Sequence, residues 1–331
     1  PLALGAAADA YKLGSKFYGK NHLNSAKLAI NYAGLLNETG NYRKAAKTLR
    51  GKLEVMEEAY GKDAKELVAP LLELGSAHID SRKSDEAIGY FQRASNILND
   101  NDNPLVRGKR NFDIVVRLLK RQANQHTRPF VEASYTAYKG MLQRNDVRWG
   151  LVNYHMAIWL LQDESLSEAT YHLNASLDAF KTSDDQMTTM ERNLRIMLID
   201  ALQRTGNSVS ATEHCLAIGE RSNWIADPLY IRPPNFDSVT IKQSDPVEIT
   251  LSFTVAEKGF VKNTKIESYS EPNLNNEALA ALAEFRYAPR FSNGVPVATK
   301  DVKFTISYDC LLYTSDAADE RSSVDLGGRR I

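Results

Sequence analysis

The sequence predicts a mostly α chain: an α-solenoid of stacked helix pairs followed by a small α+β domain of order ββαβ. Three observations predict it. From Ala6 to about Ser222, Ala, Leu, Lys, Glu and Arg dominate and apolar residues recur three and four apart, the spacing of one helix face. Between Trp224 and Pro246 the composition changes: Asp227-Pro228, Pro233-Pro234 and Asp245-Pro246 punctuate an extended stretch holding Tyr230, Ile231 and Phe236. Residues before proline avoid the helical region, so the helices end ahead of this stretch. From Val247 the chain alternates apolar and polar residues as a half-buried strand requires. The expected divisions are residues 1–222, 223–246 and 247–309.

Among the predicted helices a single pattern recurs. Leu71, Leu74 and Gly75 lead to His78, and Ala87 follows twelve residues after Gly75, with Phe91 and Ala94 beyond it. The preceding unit carries Ala29, Tyr32, Ala33 and Leu36, then Gly40-Asn41-Tyr42, Ala45 and Leu49. Later units carry Ala157, Leu160, Ala169 and Leu173, then Leu198, Leu202, Gly206, Ala211 and Cys215. Small residues let two antiparallel helices approach and large ones fill the gaps. The anchoring alanines are expected at Ala45, Ala87, Ala133, Ala169 and Ala211, separated by 42, 46, 36 and 42 residues. The stretch from Asn111 to Asn145 fits least well.

This pattern resembles the tetratricopeptide (TPR) repeat over roughly two thirds of the chain. A standard unit is ~34 residues, so these helices or their connections are longer. The resemblance implies a right-handed solenoid with a concave groove that takes a peptide or protein partner. Packed helices with no groove ligand stay open as the alternative, and no cluster of Lys and Asn groove residues is legible.

Toward the C-terminus, Val247 to Val255 is the first strand, Ala256 to Gly259 the turn, and Phe260 to Tyr269 the second strand. Val261 and Ile266 do not share a face by simple alternation, so a bulge or strong twist is expected. Glu271-Pro272-Asn273 breaks the strand, and Asn275 or Asn276 is placed to cap a helix running to about Phe285. The stretch LAALAEFRYAPRFSNGVPV, Leu279 to Val297, is the pivot: the helix stops by Pro289 and the chain turns at Asn293-Gly294. Val302 to Tyr308 alternates again as the last strand.

Other chemistries find little support. Lys plus Arg equals Asp plus Glu at 41 each, so no overall basic field attracts nucleic acid. No apolar run approaches the ~18 residues of a membrane helix. Residues Cys310 to Ile331 resemble a translated sequencing adapter, and they are set aside as a non-native tail. Cys215 is then the single cysteine, so no internal disulfide is expected. His78, His126, His155, His172 and His214 are scattered without HxxxH or HExxH spacing, which argues against a metal site. His214 and Cys215 are adjacent on a helix and point about 100° apart, a poor base–nucleophile couple; Cys215 is expected in the core. Aromatics at helical spacing read as packing. No enzyme, cofactor or catalytic residue emerges.

The C-terminal motifs are similar to the C-terminal domain of the TonB family. They are Val255 and Gly259, Val261 to Asn263, Ala278 to Glu284, Phe285-Arg286-Tyr287 with Pro289, and Asn293-Gly294 with Pro296-Val297. The resemblance covers about Pro246 to Tyr308. It implies a periplasmic protein of Gram-negative bacteria that grips an extended segment of TonB-dependent outer-membrane receptors and transmits energy from an inner-membrane proton-driven motor complex. An anchor would come from sequence ahead of Pro1. The family's strand order would put the last strand at a sheet edge, so Val302, Lys303, Phe304, Thr305, Ile306, Ser307 and Tyr308 are the expected receptor-segment site.

On that strand Val302, Phe304, Ile306 and Tyr308 should face the helix, with Lys303, Thr305 and Ser307 on the open face. About five ladder bonds at roughly 1 kcal/mol each barely offset the ~2–5 kcal/mol needed to order a flexible segment, so the ladder alone implies micromolar or weaker binding. Phe285, Tyr287 and Pro289 are expected to pack the helix on the sheet, and Arg286 to be the exposed member of the motif. A repeat scaffold or assembly adaptor, binding peptides without transmitting force, is the alternative function.

Overall fold

A computed structural model describes residues 2–79, 84–98, 103–222, 227–232, 247–270 and 272–308. Pro233-Pro234, Phe236, Asp245-Pro246, Glu271 and the tail from Cys310 lie outside the described residues. The chain is a mostly helical TPR-like solenoid followed by a small strand-containing domain. It divides into two compact units after Trp159.

The first unit holds α1 (Leu2–Tyr18), α2 (Leu23–Glu38), α3 (Tyr42–Leu49), α4 (Lys52–Tyr60), α5 (Val68–His78), α6 (Ser84–Ile97), α7 (Pro104–Leu119), α8 (Arg128–Tyr138) and most of α9 (Val147–Gln162). Asn103 caps α7 by accepting from the Leu105 N–H at 2.9 Å, and Pro104 opens the helix where its missing N–H costs nothing. The recurring pattern is the core: Ala33, Leu36, Ala45, Leu71, Ala87, Phe91 and Ala94 are all buried. A methyl group on Gly75 would stand 2.6 Å from the Phe91 ring, so the glycine is what lets α5 and α6 meet. Helix α4 and the 3-10 turn Lys65–Leu67 are inserted between pairs and lengthen the repeat.

The weakest unit, α7–α8, obeys the same rule with one substitution. Gly108 lies against the Tyr138 ring as Gly75 lies against Phe91. Counting back from Tyr138, the small anchoring residue is Ser134, fully buried, whose hydroxyl donates to the Gly108 carbonyl at 2.9 Å. Ala133, the expected anchor, is one residue off and only half-buried. A serine can occupy the position because its hydroxyl finds that carbonyl.

The second unit holds α10 (Leu166–Phe180), α11 (Thr189–Arg204) and α12 (Ser208–Glu220), then β1 (Val247–Val255), β2 (Val261–Tyr269), α13 (Asn275–Ala283), β3 (Arg290–Ser292), β4 (Val295–Val297) and β5 (Thr299–Tyr308). Thr188 caps α11 by accepting from the Glu191 N–H at 3.1 Å. Glu191 is fully buried and bonded by Arg195 and Arg221, each at 2.8 Å, which fixes the loop ahead of α11. β1, β2 and β5 form an antiparallel sheet in the order β2-β1-β5. β3 and β4 make a separate hairpin closed by Asn293 and Gly294, both at positive φ, a turn that favours those residues.

Two expectations need correction. The N-cap of α13 is Leu274, at the end of a 3-10 turn from Pro272, and no side chain caps it; Asn275 is already the first helical residue. That turn consumes the residues that would otherwise have presented an asparagine at the cap. The helix also ends at Ala283 rather than near Phe285, because the chain just beyond it is drawn into backbone bridges at Arg286.

Candidate functional site

The C-terminal core is made by alternation. Ile249, Leu251, Phe253 and Val255 of β1 point to α13, where Ala278, Ala281 and Leu282 meet them, together with Phe285 just past the helix end. Phe285 lies edge-on to Phe304, with centroids 5.3 Å apart, and Tyr287 lies 5.3 Å from Phe253. Phe285 and Tyr287 therefore pack the helix on the sheet as expected. Pro289 is buried elsewhere: its carbonyl stands so close to Gly219 of α12 that a methyl there would meet it at 2.3 Å.

The direction of the strand backbone decides which residues of β5 are open. The Glu248 carbonyl accepts from the Ser270 N–H at 3.1 Å, and the Glu248 N–H donates to the Ser270 hydroxyl at 2.8 Å, so Glu248 faces β2. Backbone groups alternate in direction along a strand, so Ile249, Leu251 and Phe253 face β5. Their register partners are Ile306, Phe304 and Val302, which therefore spend their N–H and C=O groups on β1. Lys303, Thr305 and Ser307 direct theirs to the outer border, on which no strand pairs among the described residues. Thr250 and Thr305 sit opposite each other in a non-hydrogen-bonded pair, with hydroxyl oxygens 3.0 Å apart.

On the faces, Val302 and Ile306 are buried, Phe304 packs half-buried on the core, Lys303 and Thr305 are exposed, and Ser307 is half-buried. The opposite border of the sheet is different. β2 pairs with β1 through two register shifts, and Asn263 has a φ of 54°. The expected bulge is thus present twice, and bulges interrupt an edge as a template for pairing. β5 keeps unbroken register from Val302 to Tyr308.

Arg286 overturns the expectation of exposure. It is fully buried, and its guanidinium reaches back into α11 and α12. Nη1 donates to Gln203 Oε1 at 2.9 Å, while Nη2 donates to Thr212 Oγ1 at 2.7 Å and to the Lys258 carbonyl at 3.1 Å. The Phe260 ring lies 3.8 Å from the guanidinium carbon. Among the described residues no carboxylate pairs with Arg286; burial lowers its pKa, and only neutral oxygens, the aromatic face and the Cys215 thiol receive it. Burial pushes that thiol up to about 11, against the pull of the nearby arginine, so Cys215 is a core residue rather than a nucleophile. His214 Nδ1 accepts from the Arg195 guanidinium 3.3 Å away and takes no part in this cluster.

The backbone of Arg286 is equally committed. Its N–H donates to the Tyr230 carbonyl at 3.1 Å, and its carbonyl accepts from the Leu229 N–H at 2.7 Å. The next N–H, from Tyr287, donates to the Gly259 carbonyl at 2.9 Å. Gly259 has a φ of 78°, and a methyl on it would stand 2.1 Å from the Tyr287 carbonyl, so both conformation and space demand glycine. Within the proline-containing stretch, the described residues 227–232 are thus docked on the motif.

Sequence reading missed the partners of Arg286 because they lie 74 and 83 positions away. The signal was present: Ser208, Thr212, Cys215 and Gly219 form a small, partly polar stripe at helical spacing, the mark of a close approach. In the first unit, Asn37, Glu73, Ser76, Val116, Arg117 and Lys120 line one depression of about 370 Å³. Arg117 bonds Glu73 at 2.8 Å and Asn37 donates to the same carboxylate at 2.8 Å. These groove residues come from three helices, which hid them from a linear reading. Among the described residues no group of three or more His, Cys, Asp or Glu side chains is placed to hold a metal.

A family model for the tetratricopeptide repeat matches residues 25–100, and the model for the Gram-negative bacterial TonB protein C-terminal matches residues 239–310. No curated protein matches the chain. Among solved structures, BtubC (BKLC) from P. vanneervenii is similar at 12% identity and a TM-score of 0.46, over 73% of this chain and 98% of that one. A Podosopora anserina protein described as a putative kinesin light chain with nearly identical TPR-like repeats is similar at 14% identity and a TM-score of 0.45, over 58% of this chain and 92% of that one. The chain therefore carries tetratricopeptide repeats ahead of a TonB C-terminal region, two modules that are in general non-enzymatic and imply protein–protein interaction.

Proposed function

We propose that the chain is a periplasmic TonB-type protein that takes an extended segment of an outer-membrane receptor onto the open border of β5 and transmits energy for receptor-dependent uptake. The observation that carries the reading is the outward direction of the Lys303, Thr305 and Ser307 backbone groups along an unbroken edge. A strand added there gains backbone bonds with little demand on its sequence. The matched TonB C-terminal region supports the receptor as the source of that strand, and an inner-membrane proton-driven motor complex as the source of energy. The repeats then serve as an arm for a peptide or protein partner in their groove.

Amide hydrogen exchange tests the edge directly. In the free protein the Lys303, Thr305 and Ser307 amides should exchange fast, and the Phe304 and Ile306 amides slowly. Adding a receptor segment should protect the first set. Protection confined to other strands would overturn the site.

The adaptor reading, a scaffold without force transmission, is favoured by one feature: the polar depression across α2, α5 and α7 offers a second place for a partner. The gene's 5′ end separates the two. A membrane-spanning helix with a short cytoplasmic lead supports transduction, and a cleaved signal peptide supports the adaptor.

A further inference from the structure

The loop ahead of α11, the first turns of α11 and the end of α12 border a cavity of about 550 Å³, within the size range of small-molecule sites. Its walls are held in place by a buried carboxylate. Glu191 accepts from the Thr182 N–H at 3.1 Å, which ties the loop to α11. Arg221, just past α12, then joins all three elements. It donates from Nε to the Asp184 carbonyl at 3.1 Å, from Nη1 to Glu191 at 2.8 Å and from Nη2 to Thr182 Oγ1 at 2.9 Å. All of these residues belong to the second unit.

Two arginines line the cavity, and only one of them is spent. Arg221 is committed to Glu191. Arg192 is half-buried and its Nε is shut off from solvent, yet among the described residues its guanidinium forms no hydrogen bond or ion pair. A partly desolvated guanidinium without an acceptor is costly, and a carboxylate meeting its two terminal nitrogens would offset that cost.

The other charges decide what else the occupant must carry. Asp185 and Glu220 line the same cavity, both exposed and, among the described residues, neither in an ion pair. With Arg221 balanced by Glu191, one cation and two carboxylates remain. A simple anion would be repelled by the two acids and a simple cation by Arg192. A molecule bearing both signs satisfies both. Met187 and Ile196, half-buried in the lining, add a small apolar contact.

We propose that this cavity binds a zwitterion of the amino-acid type, either a free apolar amino acid or a short apolar peptide with free ends. Its carboxylate sits on Arg192, its ammonium on Asp185 or Glu220, and its side chain against Met187 and Ile196. The site is separate from the β5 border, so its failure and the failure of the receptor-segment reading are distinct results.

Isothermal titration of the full chain with L-leucine and with leucyl-leucine tests the site, and the two arms separate a free amino acid from a peptide. At least one of them should bind. The N-acetylated and the C-amidated forms of that ligand, each lacking one charge, should bind about tenfold more weakly. Arg192→Gln should weaken the uncapped ligand to a similar degree while keeping the parent's circular dichroism and melting temperature, because the guanidinium has no partner to lose. Asp185→Asn combined with Glu220→Gln should weaken it likewise. Absence of binding by both ligands at millimolar concentration overturns the proposal. So does a capped form that binds the parent chain as well as the uncapped one, since the cavity would then read a single charge, or an Arg192→Gln variant of unchanged affinity.

Discussion

The Arg286 guanidinium donates to Thr212 Oγ1 at 2.7 Å, so the motif at the end of α13 is tied by its own side chain to α12. Hydrogen bonds from a charged group to buried neutral oxygens contribute more than neutral ones, and removing the donor leaves those oxygens unpaired. Arg286→Ala should therefore destabilise the second unit by about 3 kcal/mol, read as a lowered urea midpoint. Arg286→Lys should recover only a fraction of this, because an ammonium cannot span Gln203, Thr212 and the Lys258 carbonyl as a planar fork does. An alanine variant within experimental error of the parent would show that the buried arginine contributes nothing net.

The same contacts govern what can be cut away. A fragment starting at residue 223 keeps the sheet and α13 but loses Gln203 and Thr212, and it uncovers Ala288, which packs with Ile199, Cys215 and Ile218. A fragment starting at residue 160 keeps all of them. The shorter piece should melt well below the longer one and bind a hydrophobic dye, measured by differential scanning fluorimetry. Equal melting temperatures would mean that α11 and α12 are dispensable to the C-terminal domain.

Two histidines make stability depend on pH. Burial lowers His155 to about 4, and burial together with the Arg195 charge lowers His214 to about 4, against an ordinary value near 6.5. Both are neutral when folded at neutral pH, and His214 Nδ1 then can accept from Arg195. Between about pH 6.5 and 4 the unfolded chain binds more protons than the folded one, so acid shifts the balance toward unfolding. The denaturant midpoint should fall through that window and level off below it as far as these two groups are concerned. His214→Gln should flatten the slope for the second unit, and His155→Gln for the first. An unchanged slope in either variant would assign the acid sensitivity to other groups.

The repeats and the ββα order of the C-terminal domain were legible because periodicity reports burial directly: Ala87, Phe91 and Ala94, like Ile249, Leu251 and Phe253, occupy the positions their spacing assigns. What was not legible depends on partners far along the chain. Arg286 was expected to be exposed because its flanking aromatics could cover its stem; Gln203, Thr212 and Phe260 meet its guanidinium only after folding. Ser134 was passed over for Ala133 because a hydroxyl argues against a core position until the Gly108 carbonyl is placed beside it. The place of β5 at the end of the order β2-β1-β5 among the described strands, by contrast, is a matter of strand order, which alternation alone does not supply.

That edge gives the most discriminating substitution pair. Proline removes a backbone N–H, and the two residues Thr305 and Ile306 point theirs in opposite directions. Thr305→Pro deletes a donor from the open border and leaves the β1–β5 ladder intact, at the loss of the Thr250 hydroxyl contact. Ile306→Pro deletes a donor to β1 and removes a fully buried side chain, so it should unfold the sheet. If a receptor segment adds to the border, Thr305→Pro should keep the parent's circular dichroism yet weaken binding by about tenfold, the equivalent of roughly 1.4 kcal/mol. Thr305→Val, which keeps the N–H and the strand preference but loses the hydroxyl, should bind as the parent does. Isothermal titration with a receptor-derived peptide distinguishes the cases: equal affinity of the proline and valine variants would mean that the segment docks somewhere other than the backbone of β5.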